Sequence, residues 1–181
     1  VAEGNALVHV VTEEGAFYLE IETEVAPTTA TNFLRYVDEG FYDGGRFHRS
    51  VRLDNQTRSD VLIEVVQGGG PSGDSDGAGG KRHAPIELER TRDTGLEHVD
   101  GALSMARSEP DTATSDFFIC IGSQPSLDFG GARHGDGQGF AVFGRVVAGM
   151  DVVRTIHLAP TERESLRPPI RIVTMRRMRG R

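Results

Sequence analysis

The chain has 181 residues, of which 37% are hydrophobic and 26% charged, and its formal net charge is −7. That length favours one domain with a substantial core, and the composition favours a globular chain over a disordered one. The balance of 27 acidic against 20 basic residues gives nucleic acid no electrostatic footing, and no apolar run is long enough to span a bilayer.

Strands come first. Phe17, Leu19 and Ile21 alternate with more polar residues, the period of a half-buried strand, and Glu13-Glu14-Gly15 is a turn back to Leu7-Val8-His9-Val10-Val11. A helix follows. Pro27 and Thr28 mark its start, Ala30, Phe33, Leu34 and Val37 give one apolar face, and Gly40 stops it. The polar stretch Arg52 to Asp60 reads as a surface loop, and alternation puts Ile63, Val65 and Gln67 on one strand face. Gly68 to Gly80 is glycine-dense, so the backbone there turns often or passes close to a neighbour.

Phe117 to Ile121 reads as a fully buried strand that holds the single cysteine, Cys120, as a small core residue. Phe140 to Val147 is another strand. Met150 to His157 is a second helix with Met150, Val153 and Ile156 inward, and Ile170 to Val173 closes the set. Many strands with one early and one late helix suggest a closed sheet capped by helices, although spacing alone does not establish a barrel. There is no internal repeat or linker, so residues 1–181 form one domain with its core at about 8–173. The arginines at 176, 177, 179 and 181 read as a solvated tail.

Several chemistries lack a foothold. Gly135-Asp136-Gly137-Gln138-Gly139 is followed by a strand-like run instead of a dinucleotide-site helix, and Gly79-Gly80-Lys81 lacks the rest of a phosphate loop. Asp74 and Asp76 hint at calcium, but Pro85 stands where an EF-hand needs glutamate. The histidines show no zinc spacing, and there is no Gly-x-Ser-x-Gly elbow. No metal or cofactor is expected.

Four short segments in fixed order carry the most information: Phe47-His48-Arg49; Val65-Val66-Gln67-Gly68-Gly69; Gly101 to Arg107 with Ser115 to Ile119; and Phe140 to Val146. Together they resemble the cyclophilin family of peptidyl-prolyl isomerases, over almost the whole chain. The resemblance implies a mainly β fold, a closed eight-stranded antiparallel barrel capped by two helices. It also implies rotation of X-Pro bonds in unfolded or flexible polypeptides, assisting folding. A prolyl bond turns over a barrier of about 20 kcal/mol, set by delocalisation of the nitrogen lone pair into the carbonyl. A fixed donor aimed at that nitrogen binds the twisted bond better than either planar form. Arginine suits the task because its charge is permanent and its donors form a rigid fork.

By position in the resembling motifs, Arg49 matches the catalytic donor, Gln67 the glutamine beside it, and Phe118 the floor of the proline pocket. Leu127 matches a pocket wall, and Ala106 and Arg107 the stretch whose backbone grips the residue before proline; Val65, on the Gln67 face by alternation, would then line the pocket. The sequence departs from familiar members at Asp116 (usually glutamine), Glu64 (phenylalanine), Ser126 (tryptophan or another bulky residue) and Phe140 (histidine). An aromatic residue at 140 is similar to the bacterial branch, and Phe140 is expected to contact substrate. The segment from Arg49 to Gln67 is also longer than usual.

Asp116 is expected to contact substrate and to pair with Arg49, either orienting or partly neutralising it. At about 4 Å that attraction is roughly 4 kcal/mol at an effective dielectric of 20 before desolvation. An acidic rim of Asp116 and Glu64 favours Lys or Arg beside the proline, and the missing tryptophan predicts weak binding of cyclosporin-type ligands. A monomer acting on proline-containing polypeptides, without nucleic acid or membrane, is expected. The start at Val1 and the branch resemblance slightly favour a periplasmic or secreted location over a cytoplasmic one. The competing readings are a non-catalytic proline-peptide-binding module and a chaperone acting through the longer 50–62 segment.

Overall fold

The structure, a computed structural model, describes residues 1–71 and 82–179. The glycine-rich stretch from 72 to 81, with Asp74, Asp76 and Gly79-Gly80-Lys81, lies outside the described residues, as does Arg181.

The strands are β1 (Ala6–Thr12), β2 (Gly15–Ile21), β3 (Arg46–Val51), β4 (Val65–Gly69), β5 (Ala102–Met105), β6 (Phe117–Cys120), β7 (Val142–Ala148), β8 (Thr161–Glu162) and β9 (Ser165–Met178). Every pairing is antiparallel, in the order β1-β2-β7-β5-β6-β4-β3-β9, and β9 pairs back onto β1. Eight strands therefore close into a barrel, and β8 is a two-residue addition hairpinned onto the start of β9. Closure leaves the eight-stranded barrel no free edge.

Helix α1 (Pro27–Asp38) and helix α3 (Met150–His157) match the periodicity of their sequences. They cap opposite ends: Val152 sits beside Gly15 at the β1–β2 turn, whereas Asp38 pairs with Arg177, which lies opposite Val8. A third helix, α2 (Thr91–Thr94), is a single turn that the sequence reading did not include. Ala26 offers α1 no side-chain cap. Glu89 supplies one from across the fold, its carboxylate accepting the Thr29 backbone N–H and hydroxyl, both at 2.6 Å.

The sheet has two apolar faces. Phe17, Leu19, Phe47, Val66, Leu103, Met105, Phe117, Ile119 and Phe143 point into the barrel and pack with Phe33 of α1 and Val153 and Ile156 of α3. Val51, Val65, Ala102, Phe118, Cys120 and Val142 point outward, where Ile63 and Leu127 cover them. This explains why β6 reads as a continuous apolar run: both of its faces are buried. β9 is longer than the four residues read from sequence. Leu166, Ile170, Ile172 and Met175 are buried along it, and its prolines and arginines disguise the pattern.

The basic C-terminal segment is not a bare tail. Arg176 pairs with Asp43 and Arg177 with Asp38, each at 2.6–2.7 Å. The 52–60 loop is likewise tied down. Arg52 donates to the carbonyls of His157 and Ala159, and the Asn55 amide to the carbonyls of Ser50 and Arg163. Among the described residues no helix is long and apolar enough to cross a membrane, and no group of three potential metal ligands is found.

Candidate active site

One cavity of about 300 Å³ opens on the outward apolar patch. Arg49, Val65, Gln67, Ala106, Arg107, Phe118, Leu127 and Phe140 line it together, joined by Ile63, Arg133 and His134. Eight of the nine site residues expected from sequence thus converge. Asp116 lines the adjoining polar cavity of about 260 Å³, which shares Gln67, Ala106 and Arg107 with the first. Glu64 and Ser126 line neither of the two.

A β-bulge explains how Arg49 reaches the cavity. Pairing of β3 with β4 slips between Phe47 and Arg49, so His48 is the extra residue there, while on the other side β9 carries the surplus between Ser165 and Ile170. Phe47 points into the barrel, while Val51, four residues on, belongs to the outer patch. Strict alternation would put both on one face. The bulge reverses the phase and turns Arg49 outward.

Arg49 is held from two sides. Its Nη1 donates to Gln67 Oε1 at 3.1 Å and its Nη2 to Glu164 Oε1 at 2.8 Å. The carboxylate on Arg49 is therefore Glu164, not Asp116 as the sequence suggested. Asp116 lies nearer His48, with Oδ2 3.9 Å from Nε2. Burial lowers the His48 pKa, although the Asp116 charge pulls the other way. Glu164 sits in the turn between β8 and β9, and its backbone carbonyl accepts the Ser50 N–H at 2.9 Å. Nothing in the local sequence marks it, because the contact spans 115 positions.

Phe118 forms the apolar floor. Phe140 meets it edge-on at 5.7 Å, and His98 stacks nearly parallel behind it at 5.9 Å. His98 is fixed in turn: Nδ1 lies 2.7 Å from Asp128 Oδ1 and Nε2 lies 2.9 Å from Ser104 Oγ. This Ser-His-Asp chain has the composition of a nucleophile relay, but Ser104 is fully buried, so it braces the floor instead. Sequence reading missed it, since its members lie 6 and 30 positions from His98.

Arg107 is bound through its side chain as well as placed by its backbone. It makes a two-pronged ion pair with Asp136 at 2.9 and 3.0 Å, donates to the Gly139 carbonyl, and lies 4.8 Å from the Phe140 ring centre. Gly139 has φ +70°, and a Cβ there would sit 2.6–2.8 Å from the Leu127–Phe129 backbone, so only glycine lets this loop close over the pocket wall. Cys120 lies beneath the patch, fully buried, and burial pushes its thiol far above the ordinary range, which removes it as a nucleophile.

The arrangement is an apolar slot beside a guanidinium held by two partners. It offers a fixed cationic donor over a pocket that fits a small ring.

A family model described as "Cyclophilin type peptidyl-prolyl cis-trans isomerase/CLD" matches residues 7–177. The chain is 38% identical over 158 residues to "Peptidyl-prolyl cis-trans isomerase-like 1" of Neurospora crassa, covering 87% of this chain and 84% of that one. It is 39% identical over 152 residues to "Peptidyl-prolyl cis-trans isomerase A" of Dickeya dadantii, covering 83% and 70%. A crystal structure of a Cryptosporidium parvum cyclophilin-type isomerase superposes with a TM-score of 0.74 at 23% identity, over 98% of this chain and 99% of that one, a likeness of fold. The same parasite isomerase, crystallised in the presence of the dipeptide Ala-Pro, superposes with a TM-score of 0.72 at 23% identity, over 96% and 99%.

Proposed function

The chain belongs to the cyclophilin-type peptidyl-prolyl cis-trans isomerases, and we propose that Arg49 is the donor that carries its chemistry. It is an isomerase that turns X-Pro bonds. In the proposed division of labour the proline ring seats on Phe118 between Val65, Leu127 and Phe140. Ala106 and Arg107 hold the preceding residue through the backbone, with Asp116 at that end. Gln67 and Glu164 fix the Arg49 fork. As the bond twists, the lone pair localises on nitrogen and an Arg49 N–H donates to it, an interaction the planar states lack. The reaction makes and breaks no covalent bond, so nothing in it calls for a nucleophile or metal.

The observation that carries this reading is the two-point restraint on Arg49 at the mouth of an apolar slot. Ser126 leaves the pocket without the bulky wall a cyclosporin-type ligand would use, which supports weak binding of such ligands.

The test is amide and side-chain NMR of the protein titrated with an Ala-Pro peptide, with exchange spectroscopy on the peptide. Shifts centred on Gln67, Ala106, Phe118 and Leu127, with accelerated cis-trans exchange, support the assignment. Shifts centred elsewhere would refute it. Shifts at these residues without accelerated exchange would leave a peptide-binding module.

A further inference from the structure

The two ends of the cavity differ in charge. Strand register sets the ends: Asp116 and Ala106 adjoin Phe117 at the start of β6, whereas Val65 lies opposite Cys120 at its finish, with Ile63 beyond. Arg133 lines the cavity at this second end. Its Nη1 donates to the Val61 carbonyl at 2.7 Å and to Gln56 Oε1 at 3.4 Å, both neutral groups next to Ile63. Arg58 reaches over from the long loop to donate to the backbone carbonyl of Arg133. The 52–63 segment and the 129–139 loop therefore clasp each other, and the clasp delivers a guanidinium into the pocket.

That guanidinium has no carboxylate partner among the described residues. Arg49 is paired with Glu164, Arg58 with Asp60 and Arg107 with Asp136. Three arginines (49, 58 and 133) face two carboxylates (Glu164 and Asp60), which leaves one positive charge unmatched. Burial, Arg49 and Arg58 disfavour the charge on Arg133, and Glu164 and Asp60, each already paired with another arginine, offset this only in part. A site that holds a cation against its own neighbours gains when a ligand brings the missing anion.

We propose that Arg133 is a specificity-determining residue that recognises a carboxylate side chain, Asp or Glu, on the substrate residue following the proline. This rests on the reading above, in which Ala106 and Arg107 hold the residue before the proline; the residue after it then lies at the Arg133 end. The longer 50–62 segment acquires a role as the strut that sets Arg133 in place. An acidic residue at the other end meets Asp116 and is disfavoured.

The test compares kcat/KM for four peptides that differ only beside the proline: Ala-Pro-Glu, Ala-Pro-Gln, Ala-Pro-Lys and Glu-Pro-Ala. Native protein should favour Pro-Glu over Pro-Gln by about fivefold at low salt, the upper reach of a partly exposed ion pair, and disfavour Pro-Lys. The Glu/Gln ratio should shrink toward one as sodium chloride rises to 1 M, a readout that needs no variant. In Arg133→Gln the ratio should be one at all salt concentrations. Equal rates for Pro-Glu and Pro-Gln in native protein, with both well above the uncatalysed rate, would overturn the proposal and leave the isomerase assignment intact. A salt-independent ratio, or a ratio that survives Arg133→Gln, would also overturn it. Preference for Glu-Pro-Ala over Ala-Pro-Glu would overturn the placement of the two ends. Loss of all turnover in the native protein would instead refute the catalytic site itself.

Discussion

Replacing Glu164 by Ala removes one of the two restraints on Arg49 and little else. The backbone carbonyl at 164 still holds Ser50, so the turn between β8 and β9 stays attached. The gross attraction across 2.8 Å is roughly 6 kcal/mol at an effective dielectric of 20. Arg49 is about one-third exposed, so solvent screening reduces the stability change to about 1 kcal/mol or less. The effect on rate is larger in proportion. Fixing a free arginine side chain costs up to about 2 kcal/mol, and Gln67 still supplies half of the restraint. About 1 kcal/mol then has to be found in the transition state, roughly a fivefold fall in kcat. KM should hardly move, because the proline slot is untouched, and Glu164→Asp should recover part of the loss. The assay is exchange NMR on an Ala-Pro peptide across a concentration series, with urea unfolding as the stability control. An unchanged or raised kcat would refute the reasoning and identify Glu164 as a spectator or as a drain on the Arg49 charge.

Three other outcomes follow from the same contacts. Burial alone would raise the pKa of Glu20, but the Ala2 N–H, the Asn5 amide and Arg145 outweigh it and hold the group at about 2, against an ordinary 4.5. The ionised carboxylate therefore stabilises the fold fully above pH 4.5, by about 3 kcal/mol, and this is lost as pH falls from 4.5 toward 2. Urea midpoints measured over that range should fall steeply in native protein and more gently in Glu20→Gln, and parallel curves would contradict this. Phe118→Ala should cost roughly 3 kcal/mol in urea unfolding and raise KM for Ala-Pro peptides; an unchanged KM would remove Phe118 from the proline site. Cys120 should react with a thiol reagent at neutral pH only as fast as the protein unfolds, and rapid labelling of folded protein would show the outer patch to be open.

What the sequence discloses is the part of the fold written in short-range pattern. Alternation at Phe17, Leu19 and Ile21 and the helical spacing of Phe33, Leu34 and Val37 survive as buried faces, because burial on one side imposes the period. Phe47-His48-Arg49 and Val65-Val66-Gln67-Gly68-Gly69 are likewise legible as motifs. The bulge at His48 is not, since an extra residue in a strand leaves no mark in composition. Glu164, Glu89 and Arg133 are ordinary charged residues in loops, and their roles arise only when closure of the barrel brings distant segments together. The partner of Asp116 is hidden in the same way: only the folded strands bring it to 3.9 Å from His48, while Arg49 pairs with Glu164.

The most direct measurement of the central claim compares native protein, Arg49→Lys and Arg49→Ala in exchange NMR on one Ala-Pro peptide, with peptide affinity measured in parallel. Loss of a donor that acts only in the twisted state should lower kcat by roughly a hundredfold or more in Arg49→Ala, with a smaller loss in Arg49→Lys. Affinity should stay within a few-fold, since the apolar slot that binds the ring remains. Turnover in Arg49→Ala within a few-fold of native, at preserved affinity, would contradict the account and move the chemistry to another group in the cavity.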